Sequence, residues 1–199
     1  MTCHLGNGSS ISAVDGGKCL DTTMGVTPLE GIMMGTRCGS IDPAIVPLIM
    51  KKENMTPDEV DYMMNKKSGI LGVSQTTSDN RDIEMGAKAG NERYKLIESM
   101  LCHQLTKYIG GFAAAMGGVD AIVFAGGIGE NNPQYRTRVA EKLGFLGVKI
   151  DEAKNAEAVH GVELDISAPD ATVKMLVIPT DEELMIAKDT YELTHDLVK

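Results

Sequence analysis

The sequence predicts an α/β domain built on a mixed β-sheet, and three observations support this prediction. The chain opens with three short segments whose residues suit antiparallel strands separated by tight turns. Two apolar runs, residues 121–125 and 174–179, have the length and composition of strands buried inside a sheet. Segments of helical periodicity lie before, between and after these runs. This alternation favours a mixed sheet that begins with a three-strand antiparallel meander and carries helices on both faces.

The opening meander is the first predicted element. Residues 2–5 and 10–14 are expected to be strands joined at Asn7-Gly8, a residue pair that favours a two-residue type I′ turn. A second turn at residues 15–17 leads into a third strand. The glycines that flank Asn7 also let backbone amides approach an anion closely, so the segment suits phosphate binding as well. From these residues alone, an ordinary hairpin turn is the simpler interpretation.

An irregular segment follows the meander. Residues 25–47 are rich in glycine, proline and threonine and show no clear periodicity, and irregular connections of this length in a compact domain are usually functional. Arg37 lies within it and suits either a surface ion pair or an anion contact. Residues 44–52 have a helical pattern. A second helix is predicted from Thr56, which precedes a proline and two acids, the residues typical of a helix start.

A long helical region is predicted between residues 79 and 116, with a break near Gly90. Apolar residues recur there at three- and four-residue spacing, which indicates one face packed on the core. The members of this stripe are Tyr94, Ile97, Leu101, Leu105, Tyr108 and Phe112. At the start of the region, residues 78–81 (Ser-Asp-Asn-Arg) fit either a helix cap or a polar clamp on a ligand.

Two polar turns directly follow the two buried strands. Residues 126–129 are a glycine-rich link to a helix that runs to Leu143, and ligands of α/β sheets bind at such strand ends. The sequence contains neither the Gly-x-Gly-x-x-Gly pattern nor a P-loop, so these glycines alone are weak evidence for a nucleotide site. Residues 180–183 combine a threonine with three acids, which suits either a helix N-terminus or a carboxylate ligand for Mg²⁺.

The composition argues against several classes of protein. The chain has 199 residues, with 19 Lys and Arg against 28 Asp and Glu, a net charge of −9 and a pI near 4.9. This balance argues against a nucleic-acid partner, which requires a basic face. No apolar run is long enough to predict a transmembrane helix, and the four cysteines have neither disulfide nor metal-ligand spacing. We therefore expect a cytoplasmic protein without a membrane partner.

Four segments of the sequence occur together and in a fixed order: HLGNG at residues 4–8, DTTMGVTPLEGIMMGTRCGSIDP at 21–43, GGIGEN at 126–131 and PTDEE at 179–183. This combination closely resembles the acetate kinase family, part of the superfamily of acetate and sugar kinases, Hsp70 and actin. The resemblance spans essentially the whole chain and implies a ribonuclease H-like, actin-like ATPase domain. Cys38 and Ser40 depart from the family pattern, which leaves the contacts of the loop around Arg37 less defined.

The resemblance also implies an activity and a set of residue roles. The activity is reversible phosphoryl transfer between ATP and acetate, giving acetyl phosphate and ADP, with Mg²⁺ as cofactor. Arg37 would stabilise the phosphoryl group in transfer, and Glu182 would position Mg²⁺. The residues that the resemblance assigns to nucleotide binding are His4, Leu5, Gly6, Asn7, Gly8, Asp79, Asn80, Arg81, Gly127, Ile128, Gly129, Glu130 and Asn131. Such roles suit a reaction that depends on positioning and charge stabilisation.

The resemblance covers only the C-terminal half of such a kinase. We therefore expect residues 1–199 to be the nucleotide-binding domain, with the N-terminal domain and its catalytic groups absent and the chain inactive alone. The family resemblance further implies a homodimer formed through this half. Two alternatives stay open: a non-catalytic dimerisation or nucleotide-binding module, and a kinase for a related short-chain acid such as propionate or butyrate.

Overall fold

A six-stranded mixed sheet organises the computed structural model, which describes residues 1–195. Its strands are β1 (Thr2–Leu5), β2 (Ser9–Asp15), β3 (Lys18–Thr22), β4 (Ala121–Ala125), β5 (Leu164–Asp165) and β6 (Lys174–Val177). Their order across the sheet is β3-β2-β1-β4-β6-β5. The β1, β2 and β3 strands form the predicted antiparallel meander, whereas β4 pairs in parallel with both β1 and β6. Both apolar runs of the sequence are therefore central strands, as predicted.

Nine α-helices surround this sheet in residues 1–195. They are α1 (Ile45–Glu53), α2 (Pro57–Lys66), α3 (Gly69–Ser74), α4 (Asn80–Lys88), α5 (Glu92–Ala115), α6 (Gly126–Asn131), α7 (Pro133–Lys142), α8 (Glu152–Glu157) and α9 (Glu182–Thr194). Thr56 and Glu59 form a reciprocal capping box at the start of α2. Gly90, with φ of +98°, separates α4 from α5 at the predicted break. No helix within this part of the chain is both long and apolar enough to cross a membrane.

Three local predictions differ from the structure. The prediction of a type I′ turn at Asn7-Gly8 is wrong, because a three-residue loop joins β1 to β2 and neither residue has a positive φ. Backbone contacts shape that loop instead: Gly6 N donates to Gly8 O at 3.0 Å, and Gly35 N donates to Asn7 O at 3.2 Å. A short edge strand is also expected from the sequence at residues 148–150, and the structure has only two isolated bridges there. The glycine-rich link at residues 126–129 is itself helical, as part of α6.

The core lies on one face of the sheet. Ile122 and Phe124 of β4 are fully buried and share one cluster with the apolar stripe of α5, as its periodicity predicts. The opposite face of β4, with Val123 at its centre, is only half-buried. The face of β4 that carries Ile122 and Phe124 is therefore the more completely covered of the two.

Glu98 of α5 is a buried carboxylate close to the core. Its Oε2 lies 3.4 Å from Arg138 Nη1, and its Oε1 has no hydrogen-bond partner. Burial raises the pKa of Glu98 above its ordinary value, and the positive charge of Arg138 opposes that shift only in part. The negative charge of Glu84 raises the pKa further, whereas Lys88 lowers it. An ionised Glu98 therefore reduces the stability of the fold.

We predict that Glu98→Gln raises the free energy of unfolding by about 1 kcal/mol at pH 7. A carboxyl whose folded-state pKa is raised costs stability above that pKa, and the cost disappears below the pKa of the unfolded chain. The gain should therefore vanish as pH falls below the ordinary glutamate range. Urea denaturation between pH 4 and pH 8 measures this difference in the free energy of unfolding. Glu163→Gln, at an exposed position, is the control. A gain that does not change with pH would contradict the assignment.

Candidate functional site

A single open cleft lies at the carboxyl ends of β1 and β4. Because these strands are parallel neighbours, the turns that follow them, at Gly6 and Gly126, emerge at the same edge of the sheet. The cleft has a volume of about 820 Å³. Its walls come from the β1–β2 loop, the start of α4, helix α6 and the turn after α8. Four segments that are distant in the sequence therefore converge on one space.

The β1–β2 loop forms one end of this cleft, where Gly6 and Asn7 line it. Ser9, which is buried, donates a hydrogen bond from Oγ to Gly6 O at 3.1 Å. Asn7 lies directly against Gly35, and a Cβ at that position would collide with Asn7 Oδ1. The absence of a side chain at Gly35 thus allows the irregular segment to pack against the loop and fix its shape.

Arg37 approaches the same loop from outside the cleft. Its Nη1 donates to Pro28 O at 3.1 Å, which holds the half-buried side chain across the irregular segment. A Cβ added to Gly8 would lie 3.3 Å from Arg37 Nη1, so the guanidinium rests against the backbone of the hairpin. Arg37 does not line the cleft itself. It nevertheless places a positive charge beside the glycine-rich loop at one end of the cleft.

The start of α4 forms a second wall. Asp79 is the N-cap of this helix and accepts a hydrogen bond from Arg81 N at 2.9 Å. The Arg81 side chain also donates to this carboxylate, and these hydrogen bonds lower the pKa of Asp79 to about 2. Asn80 Oδ1 accepts a hydrogen bond from Tyr135 Oη at 2.9 Å. The sequence fits either a helix cap or a polar clamp on a ligand at residues 78–81. These two interpretations are compatible, because the residues that cap α4 also line the cleft.

Helix α6 forms the wall that follows β4. Gly127 lies at the cleft, and a Cβ added to it would meet no atom within 4 Å outside its own helix, so a side chain there would project into open space. Gly129 is buried against Cys3 and Leu5. Glu130 Oε1 accepts hydrogen bonds from Gly126 N at 2.8 Å and Thr180 N at 3.0 Å. Glu130 therefore ties together the ends of β4 and β6 and does not face the cleft.

A buried arginine holds α6 in place. Arg136 of α7 is fully buried, and its guanidinium donates to Gly129 O and Glu130 O at the end of α6. It also donates to Asn155 Oδ1, Asn155 O and Ala158 O, in and just after α8. Burial lowers the pKa of Arg136 to about 10, which still leaves it protonated at neutral pH. One cation thus joins two of the elements that line the cleft.

The structure brings eight of the predicted site residues into the cleft. They are Gly6, Asn7, Asp79, Asn80, Arg81, Gly127, Ile128 and Asn131. The other predicted residues do not line it: His4, Leu5, Gly8, Arg37, Gly129, Glu130 and Glu182. The cleft also contains residues that the sequence analysis did not single out: Gly35, Ile70, Glu84, Asn132 and His160. Two of these could have been found from the sequence. Glu84 lies four residues after Asn80 and thus on the same face of α4, and Asn132 directly follows Asn131.

Glu182, the predicted magnesium ligand, begins α9 and is exposed. No group of three or more His, Cys, Asp or Glu side chains in residues 1–195 is arranged to hold a metal ion. A single carboxylate still suits Mg²⁺, which often takes one or two protein carboxylates and completes its shell with water and substrate phosphates. Thr180, two residues earlier, is hydrogen-bonded to Glu130 beside α6. Glu182 alone would leave most of the coordination shell of a magnesium ion to water and a bound phosphate.

Comparison with known proteins identifies the family to which this arrangement belongs. A sequence profile described as the acetokinase family matches residues 1–188. This chain belongs to the acetate kinase family. The curated acetate kinase of Methanosarcina mazei is 56% identical over 199 residues, which are 100% of this chain and 48% of that protein. The acetate kinase of Halothermothrix orenii is 55% identical over 190 residues, which are 96% of this chain and 47% of that protein.

Solved structures of acetate kinase family members show the same fold. A crystal structure of the Porphyromonas gingivalis acetate kinase has a TM-score of 0.91 at 47% identity, covering 96% of this chain and 48% of that one. A crystal structure of a propionate kinase from Francisella tularensis has a TM-score of 0.86 at 40% identity. The match covers 94% of this chain and 47% of that one. These matches confirm the predicted actin-like ATPase fold. The chain spans about half the length of the relatives that it matches.

We predict that Arg136→Lys lowers the free energy of unfolding by about 2–4 kcal/mol. A lysine has three donors on a single atom, so it cannot replace the five hydrogen bonds that the planar guanidinium makes in this buried position. Urea denaturation of the purified variant measures the loss. Arg93→Lys is the control, because Arg93 is exposed and donates one hydrogen bond, to Val73 O at 3.3 Å. Equal effects of the two substitutions would contradict this role for Arg136.

Proposed function

We propose that this chain binds ATP or ADP in the cleft and is the nucleotide-binding half of an acetate kinase. Such an enzyme transfers a phosphoryl group reversibly between ATP and acetate, giving ADP and acetyl phosphate. The convergence of three separate segments on one cleft, namely Gly6-Asn7, Asp79–Arg81 and Gly127–Asn131, carries this proposal. Glycine-built turns at the ends of parallel strands, with polar side chains opposite them, suit a phosphorylated ligand.

The charges around the cleft indicate which way a nucleotide lies in it. Arg37 adjoins the β1–β2 loop, whereas Glu84 lines the wall formed by α4. The phosphates of a nucleotide carry its negative charge, so the loop beside Arg37 suits them better than the α4 wall, where Arg81 and Lys88 are already paired with acids. We therefore place the phosphates against Gly6 and Asn7. The adenosine then lies between α4 and α6, towards Asn131.

The proposed chemistry assigns separate tasks to the residues of this chain. Phosphoryl transfer is catalysed by positioning and by stabilising the charge of the group in transfer. Gly6 and Asn7 orient the phosphate chain, and Arg37 stabilises negative charge on the phosphoryl group as it moves. Glu182 would hold Mg²⁺, which neutralises charge on the nucleotide phosphates. The chain thus provides a nucleotide site and one catalytic cation.

Turnover, in this proposal, requires the half of the enzyme that this chain does not include. The relatives are about twice as long as this chain, so we propose that their other half supplies the remaining catalytic groups and most of the acyl site. We further propose a cytoplasmic homodimer that acts on small molecules. The acidic composition and the four free cysteines of residues 1–195 support that location.

Phosphoryl transfer to propionate is the second candidate function. The Francisella tularensis propionate kinase is 40% identical to this chain over the aligned region at a TM-score of 0.86, so the fold of this half is common to kinases of both acids. The chain is more similar to the acetate kinase of Porphyromonas gingivalis, at 47% identity and a TM-score of 0.91, which favours acetate. Rates with acetate, propionate and butyrate, measured on the complete enzyme, distinguish these candidates.

We predict that the chain binds Mg²⁺-ATP weakly and that Gly127→Leu lowers the affinity at least about tenfold. A side chain at Gly127 would project into the cleft without striking the rest of the fold, so it blocks the ligand and leaves the protein folded. Isothermal titration calorimetry with millimolar ATP measures the change. Gly111→Leu is the matched control, since Gly111 is also exposed, lies in α5 and has open space at its Cβ position.

The same titration separates the proposal from its non-catalytic alternative. A folded dimer that does not respond to millimolar ATP would support a dimerisation module and contradict a nucleotide site. Light scattering determines the oligomeric state in that experiment. Equal affinities of the Gly127 and Gly111 variants would also contradict the proposal, because the ligand would then lie outside this cleft.

We predict that Arg37→Ala lowers kcat by about 10²–10³ in an enzyme that joins this chain to the N-terminal half of a relative. Removal of a cation that stabilises the transition state more strongly than the bound nucleotide reduces kcat more than it reduces nucleotide affinity. Trapping of acetyl phosphate by hydroxylamine measures turnover. Lys107→Ala, at an exposed position of α5, is the control for loss of a positive charge. A decrease of less than tenfold would remove Arg37 from this role.

A further inference from the structure

His160 lies at the cleft in an unusual backbone conformation. It follows α8, lines the cleft, and has φ of +55°. Residues other than glycine rarely adopt this left-handed region, and a side chain there costs free energy that the surrounding structure must offset. Such conformations occur at functional sites more often than elsewhere. The following residue, Gly161, also has a positive φ, and Val162 N donates to Val159 O at 3.2 Å, so His160 and Gly161 are the two central residues of one tight turn.

A chain of hydrogen bonds holds this turn against α6. His160 N donates to Asn131 Oδ1 at 2.8 Å, and Asn131 Nδ2 donates to Gly127 O at 3.0 Å. Two residues before His160, Ala158 O accepts from the buried Arg136. The turn and the helix that lines the cleft are thereby fixed to each other, which holds the backbone of His160 at the cleft.

His160 has the only aromatic ring among the residues that line the cleft in the described part of the chain. Its backbone is bonded to Asn131, at the far end of α6 from the strand that leads into this helix. With the phosphates placed at Gly6 and Asn7, that is the adenosine end of the cleft. The nucleobase is the one planar aromatic part of a nucleotide, and aromatic side chains bind any base by stacking on its face.

We propose that His160 stacks on the base of the nucleotide and is a base-binding residue of this site. The inference rests on the proposed nucleotide function and adds to it a contact that discriminates nucleotides from other phosphorylated ligands. Because stacking uses the face of the base rather than its edge, His160 strengthens binding of ATP and GTP alike. A ligand without a base, such as inorganic tripolyphosphate, gains nothing from it.

Two substitutions at His160 and two ligands test this proposal. His160→Asn removes the ring but keeps a residue type that tolerates a positive φ, so the turn is preserved. His160→Phe restores a ring. Isothermal titration calorimetry with Mg²⁺-ATP should show at least about fivefold weaker binding for His160→Asn and recovery of most of the affinity for His160→Phe. Binding of Mg²⁺-tripolyphosphate should be the same for all three proteins.

A ring-current shift provides an independent readout. We expect the ring protons of His160 to move upfield in the NMR spectrum of the wild-type chain when ATP is added, and to stay in place with tripolyphosphate. Equal losses for ATP and tripolyphosphate in His160→Asn would overturn the proposal, since His160 would then act on the phosphates or on the shape of the cleft. Unchanged ATP binding would also overturn it but leave the nucleotide site intact. Wild-type protein that binds neither ligand would overturn both this inference and the proposed function.

Discussion

Parallel pairing of β1 with β4 is the constraint on which the site depends. The two strands are 116 or more residues apart in the chain, yet Thr2 pairs with Val123 and His4 with Ala125. This register brings the turns at Gly6 and Gly126 to one edge of the sheet. Because side chains alternate along a strand, a slip of one residue would expose Ile122 and Phe124 and turn them away from the core cluster. The burial that stabilises the sheet therefore also aligns the two turns of the cleft.

Polar side chains behind the cleft hold the elements that line it in fixed positions. Glu130 and Arg136 make no contact with the cleft itself, but they connect α6 to the end of β6 and to the turn after α8. These bonds satisfy backbone groups at helix and strand ends, which would otherwise be buried without partners. The sequence motif GGIGEN thus combines two functions. Its second glycine keeps the cleft open, and its glutamate holds the supporting strands together.

Most of the fold was predictable from local patterns, and most of the cleft was not. The buried strands, the capped start of α2 and the stripe of α5 follow from periodicity and capping residues, which act over a few neighbours. The shape of the β1–β2 loop was missed because the partner of Asn7 is Gly35, outside the hairpin. His160 and Arg136 were missed for the same reason. Their roles depend on contacts with α6, and nothing in the residues beside them signals such contacts.

Local pairing of charges makes the acidic composition of the chain compatible with the proposed binding of a polyanion. The net charge is −9, and the cleft contains two acids, Asp79 and Glu84. Each is paired, Asp79 with Arg81 and Glu84 with Lys88, at 2.5 and 2.7 Å. Pairing reduces their repulsion of a nearby phosphate, although exposed pairs contribute little to stability. In the proposed complex, Arg37 at the other end of the cleft would then act on the phosphates, because short-range contacts outweigh distant charges that salt screens.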